Sequence, residues 1–315
     1  MAELGYLLTL AKTEHPKMTE PTQIKIPQEA LDWYDEYAHG DIDRRTFMSR
    51  LASLAGTGTG ISLSLLAGAL IPNYALAEQV SFNDPDIIAR YATFKSPDGY
   101  LEGRGYLVRP SKLNGKTATV LVVHENRGLN PYIKDVARRL AKQGYIAFAP
   151  DALHPLGGYP GNDDEGKAMQ KSLDRSKIEQ DFIAAAKFLK THKLSNGKLG
   201  VVGFCFGGYV TNMLAATLPG TVNAAVPFYG TPAKDPVVDN IKGPLMLQFA
   251  ELDPRVNATW PAYETLLKKK GVDYQAFIYP GVNHGFHNDS TGRYNKEAAE
   301  LAWSRTLAFF DQHLS

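Results

Sequence analysis

The chain has 315 residues, of which 44% are hydrophobic and 21% charged, and a formal net charge of +1; those values describe a globular protein and, past any leader, one sizeable domain. Long runs of like charge are absent, which argues against a polyanion-binding surface and so against nucleic acid as a partner. A single cysteine, Cys205, excludes an intrachain disulfide and a multi-cysteine metal site.

Residues 1–37 read as polar and irregular, with one short helix over Ile26–Tyr37 and no means of burying a core of their own. Asp43-Arg44-Arg45-Thr46-Phe47-Met48 follows, then an apolar stretch from Leu51 to Ile71 containing Gly56, Gly58, Gly60 and Gly68, then Ala75-Leu76-Ala77. Paired arginines, a moderately apolar segment and a small-x-small site form the layout of a secretory leader, and the Arg-Arg-x-Phe-Met core resembles the twin-arginine consensus. The expectation is an N-terminal extension over 1–77 and a folded domain over 78–315, exported to the periplasm through the twin-arginine translocase. The alternative is an uncleaved, cytoplasmic arm in which Leu51–Ile71 packs as a helix.

From Tyr91 onward short apolar runs alternate with amphipathic segments, the pattern of an α/β fold with a mostly parallel sheet covered by helices on both faces. A hairpin is predicted through Tyr91–Phe94, a turn at Ser96-Pro97-Asp98-Gly99, and Tyr100–Arg109. Six buried parallel strands follow at Ala118–Val123, Tyr145–Ala149, Leu199–Gly203, Ala224–Phe228, Leu245–Phe249 and Tyr274–Tyr279. Helices are expected over Tyr132–Lys142, over Lys177–Lys190 behind a Ser176/Glu179 capping box, and over Asn295–His313, with Leu301, Trp303, Leu307 and Phe310 turned to the core.

The run Leu199 to Gly208 reads as a strand entering Gly203-Phe204-Cys205-Phe206-Gly207-Gly208 and then a helix. A nucleophile on such a sharp turn needs small neighbours two residues to either side, and the helix N-terminus behind it favours the thiolate. The Phe206 N–H would face a developing oxyanion. Asp253 follows the strand Leu245–Phe249, and His284 follows the strand ending at Tyr279, which gives nucleophile, acid and base in α/β-hydrolase order at the carboxyl ends of successive strands. His284 would carry the proton and Asp253 would fix its tautomer. His124, His154, His192 and His287 each lack part of that context.

These motifs, together with His124-Glu125-Asn126-Arg127-Gly128-Leu129-Asn130 and Asn283-His284-Gly285-Phe286, resemble the dienelactone hydrolase (carboxymethylenebutenolidase) family of the α/β-hydrolase superfamily across Tyr100–Leu314. The resemblance implies a Cys205-His284-Asp253 triad, a Glu125 that contacts the cysteine and controls its ionisation, and an oxyanion hole shared by the Asn126 and Phe206 N–H groups. Two family arginines that bind the substrate carboxylate have no counterpart after Pro150-Asp151 or beyond His284. Arg127 or His154 is expected to supply a substitute charge, and Tyr229 to line the pocket. The expected activity is hydrolysis of a small-molecule ester or lactone through an acyl-cysteine, with no metal and no organic cofactor. Alternatives are a thioester or peptide hydrolase of the same fold, or a noncatalytic exported binding protein.

Overall fold

The computed structural model describes residues 26–56, 61–233 and 237–315. The chain begins with α1 (Gln28–His39), α2 (Arg44–Gly56), α3 (Leu63–Leu70) and the single turn α4 (Tyr74–Ala77), then enters the hairpin β1 (Ile87–Ser96) and β2 (Leu101–Pro110). An alternating body follows: β3 (Thr117–Val123), α5 (Pro131–Lys142), β4 (Ile146–Pro150), α6 (Asp163–Ser172), α7 (Arg175–Lys190), β5 (Ser195–Phe204), α8 (Phe206–Thr217), β6 (Ala224–Phe228), β7 (Leu245–Leu252), α9 (Pro254–Asn257), α10 (Trp260–Lys269), β8 (Tyr274–Asn283) and α11 (Lys296–Leu314). The sheet order is β1-β2-β4-β3-β5-β6-β7-β8. β1 and β2 pair antiparallel with each other, β2 pairs antiparallel with β4, and the remaining pairs are parallel.

Unbroken apolar runs make the central strands fit a sheet covered on both sides: every residue of β4 and β6 is buried. One face packs on α7, α8 and α10 through Phe182, Val210, Leu214 and Leu267, and the other on α5 and α11 through Tyr132, Val136, Phe309 and Phe310. β8 lies at the edge, so Ile278 stays exposed although its strand was expected to be covered.

Two local expectations change. The cap of α7 is Asp174, whose carboxylate accepts from the Ser176 and Lys177 amides, while Glu179 turns to Arg175 and to the Tyr209 hydroxyl. On α11 the buried face runs through Ala298, Ala302, Thr306, Phe309 and Phe310, a helical spacing that leaves Leu301 on the solvent side, 44% exposed.

Of the segment read as polar and irregular, residues 1–25 lie outside the described residues, and the rest packs together with the helices that follow it. Tyr34, Tyr37, Phe47, Leu51 and Leu70 from α1, α2 and α3 pack together, with Tyr37 and Phe47 stacked 5.0 Å apart between ring centroids. Polar contacts join this arm to the body: Gln28 to Asn283 at 2.6 Å, Asp35 to Arg293 at 2.8 Å, and the Lys167 ammonium to the Tyr37 carbonyl at 2.7 Å. Among the described residues no helix is long and apolar enough to cross a membrane.

Candidate active site

Cys205 sits between β5 and α8 with φ 58° and ψ −113°, a conformation that residues bearing a Cβ rarely adopt. Its neighbours make the turn feasible. A Cβ on Gly203 would overlap the Gly207 carbonyl, and one on Gly207 would overlap the Val123 carbonyl, so the strand, the elbow and the helix approach backbone to backbone. The turn is tied down by the Cys205 N–H donating to the Phe228 carbonyl at 3.1 Å and by the Gly208 N–H donating to the Cys205 carbonyl at 2.9 Å. The N–H of Phe206 opens α8, and among the described residues neither it nor the N–H of Asn126 meets an acceptor. Both residues border the cavity over Cys205.

His284 follows the last residue of β8, and Asp253 follows β7 as the cap of α9, where one carboxylate oxygen accepts from the Val256 amide at 3.1 Å. The other oxygen lies 2.6 Å from His284 Nδ1, and both side chains are buried. This contact assigns a proton to Nδ1, and among the described residues Nε2 has no hydrogen-bond partner. A ring nitrogen of His284, one of His39 and the sulfur of Cys205 all lie within 4.8 Å of one another.

The electrostatics follow from that crowding. Burial alone would push the Cys205 thiol up, but His284 and His39 beside it outweigh burial and hold it well below the ordinary value. Burial would likewise lower His284, yet the sulfur and Asp253 carry it up to about 10. Asp253 is held low, its burial overcome by His284. Glu125 is buried and pushed up chiefly by desolvation; its Oε2 accepts from Asn288 Nδ2 at 3.0 Å. The expected direct grip of Glu125 on the sulfur is therefore replaced by a hydrogen bond to Asn288 and an influence through space, and the two imidazoles dominate the thiol.

The cavity over Cys205 measures about 760 Å³, a size suited to a small molecule. Phe206 and Tyr229 line it, with the Tyr229 ring 4.8 Å from that of His284. Arg127 does not line it: the guanidinium is buried against Asp163 at 3.2 Å. Nor does His154, which lies in the turn after β4 and faces Glu102 at 3.8 Å. The cationic side chains at the cavity are instead Arg44, Lys167, Lys171, Arg175 and Arg255, against two carboxylates, Asp43 and Asp164. Since Arg127 is buried with its partner, Asp163→Ala should destabilise the protein by about 3–5 kcal/mol, measured by urea unfolding.

Two of the other histidines are structural. His124 is buried, with Nε2 accepting from the Ala152 amide at 3.2 Å and Nδ1 2.5 Å from the Glu125 carbonyl, and burial keeps it neutral. His287 receives the Tyr132 hydroxyl at 2.7 Å and is held low by burial. Sequence reasoning passed over His39, whose Nε2 is 3.6 Å from the Cys205 sulfur. The available signal was Asp35 one helical turn before it, with the helix stopped at Gly40. Arg255 Nη2 lies 2.8 Å from the same His39 nitrogen, so a cation held by the sulfur and both imidazoles would face a guanidinium; the cluster suits proton handling better than metal ligation.

A parallel sheet with a cysteine elbow and an Asp-His pair at the carboxyl ends of its strands defines an α/β-hydrolase. The chain belongs to the dienelactone hydrolase family, whose model matches residues 104–314. A second model, described as YqhI-like, matches residues 18–56. Among curated relatives, the "Putative hydrolase fragment YghX" of Escherichia coli (strain K12) is 66% identical over 105 residues, 33% of this chain and 90% of that one. A "Putative carboxymethylenebutenolidase" of Synechocystis sp. is 34% identical, covering 69% of this chain and 95% of its own length. The crystal structure of a "Putative Dienelactone Hydrolase" from Klebsiella pneumoniae shares the fold at a TM-score of 0.62 and 24% identity, over 71% of this chain and 99% of that one.

Proposed function

We propose that this hydrolase cleaves a small anionic ester or lactone through an acyl-cysteine. The observation that carries the reading is the 2.6 Å pairing of His284 Nδ1 with Asp253, with the other face of the imidazole left to the elbow sulfur. Cys205 sulfur attacks the carbonyl carbon, and the Phe206 and Asn126 N–H groups receive the oxyanion. Collapse expels the alkoxide, which takes the proton held by His284. The ring then removes a proton from water, whose oxygen attacks the acyl carbon; the C–S bond breaks to restore the thiolate beside imidazolium, and the acid product gives its proton to solvent and leaves as the carboxylate. The excess of cationic side chains around the cavity favours a substrate bearing a carboxylate, with Lys171, Arg175 and Arg255 in place of the family's missing arginines. The relative from Bradyrhizobium described as a "Probable 2-oxo-3-(5-oxofuran-2-ylidene)propanoate lactonase", 31% identical over 224 residues, points to the same kind of compound.

The test is intact-mass analysis after quenching with a panel of esters and lactones, with and without a carboxylate. One acyl adduct is expected on Cys205, none on Cys205→Ala, and faster turnover for carboxylate-bearing members. Turnover by a Cys205→Ala enzyme at the wild-type rate would overturn the reading.

A further inference from the structure

We propose that the N-terminal arm is a retained wall of the active site, and that its His39, oriented by Asp35, is a second catalytic imidazole acting on the Cys205 sulfur. This rests on Cys205 as the nucleophile and extends the site to a segment that carries a leader-like pattern.

The geometry repeats the logic of the Asp253-His284 pair from the opposite side. His39 ends α1, with Nδ1 2.9 Å from the Asp35 carbonyl and 3.4 Å from the Asp35 carboxylate, so the Nδ1 proton is committed and Nε2 is turned to the sulfur at 3.6 Å. The His39 and His284 rings meet edge to face, 4.7 Å between centroids. Asp35 is itself fixed by Arg293, whose side chain is 3% exposed. The charged and titratable groups facing His39 are thus Asp35 on its own helix, Cys205 at the elbow, Arg255 from α9 and His284 after β8.

Arg255 defines how this imidazole works. A guanidinium only donates, so its 2.8 Å contact with Nε2 belongs to the neutral ring. The one thiol proton can sit on either ring: when it sits on His39 rather than on His284, Nε2–H donates to the thiolate and Arg255, which is exposed, moves into solvent or onto an anionic substrate. No proton is lost: it leaves sulfur and arrives on Nε2.

The arm also shapes the cavity. Tyr37, His39, Ile42 and Arg44 line it together with Cys205, Phe206 and Tyr209. The Asn126 side chain donates to the Ala38 carbonyl at 3.1 Å, so the arm braces the loop that carries one oxyanion N–H. The YqhI-like match over 18–56 spans this same piece.

The decisive measurement is the pH dependence of Cys205 alkylation, read by intact mass on the full chain. His39→Gln and Asp35→Asn should each raise the apparent pKa of the thiol by about one unit, so that the acid limb of the alkylation profile moves up by the same amount and the rate below that limb falls about tenfold. Arg50→Ala, which removes an ion pair of the same arm with Glu36, should leave the profile at wild type. Near-ultraviolet circular dichroism will report whether each variant is folded, and two independent variants guard against one misfolding. A profile unchanged in both folded variants, or a mature protein whose mass begins after Ala77, would overturn the inference. If instead the wild type is never acylated on Cys205, the hydrolytic reading itself has failed.

Discussion

Under the proposed mechanism, replacing His284 with Gln is expected to lower kcat/KM for ester cleavage by about 10⁴- to 10⁶-fold, because one ring would hold the thiol proton, protonate the leaving oxygen and activate water. The same change should alter the nucleophile before any substrate arrives. In the folded protein His284 is pushed from 6.5 up to about 10, so its charged form contributes stability that is complete below pH 6.5 and is lost as pH rises through about 10. Cys205 moves oppositely: its thiolate contributes stability present above the ordinary 9.0 and lost as pH falls through the depressed value. Between those limits the two charges coexist. Wild-type alkylation should therefore be flat across neutral pH, whereas in His284→Gln it should climb with pH toward the ordinary thiol range. Equal alkylation profiles for the two proteins would show that the ring does not hold the thiolate.

How much of this was legible in the sequence depends on whether the signal was local. The elbow was, because Gly203 and Gly207 are required by backbone contacts that permit no other residue, and such constraints leave a fixed spacing around Cys205. The strands were too, since β4 and β6 are buried throughout and spell unbroken apolar runs. The chain order of Asp253 and His284 marked the ends of β7 and β8 without revealing their 2.6 Å approach.

What failed to show depends on long-range packing. Nothing around Arg127 announces that Asp163, thirty-six residues later, will neutralise it away from the cavity. Arg175 and Arg255 look like ordinary surface charges until α7 and α9 are set beside the elbow. His39 is the clearest case, lying 166 positions from the cysteine it touches. The arm that carries it combines paired arginines with a Gly- and Ala-rich segment, a composition that serves equally for a leader and for short helices around Tyr34, Tyr37 and Phe47. Composition cannot separate those fates, and it gives no sign of the partners Asn283, Arg293 and Lys167 that the arm meets on the body.

Asp253→Asn should cost about 10⁴-fold in kcat, through tautomer rather than through lost packing. The asparagine is nearly isosteric, and its carbonyl oxygen can still accept from the Val256 amide, so α9 should keep its cap and unfolding should change little. Toward His284, however, an amide nitrogen now faces Nδ1 where a carboxylate oxygen stood 2.6 Å away. A donor there forces the ring proton onto Nε2, the nitrogen that must accept from sulfur and from water, and the base is disabled while its position is kept. Turning the amide over restores the Nδ1 proton only by leaving the Val256 N–H opposite another donor. The expected signature is a large fall in kcat with KM almost unchanged, an ¹⁵N shift marking Nε2 as the protonated nitrogen, and a nearly unaltered urea midpoint. A fall confined to KM, or a variant that unfolds at much lower urea, would instead assign Asp253 to the architecture of the loop.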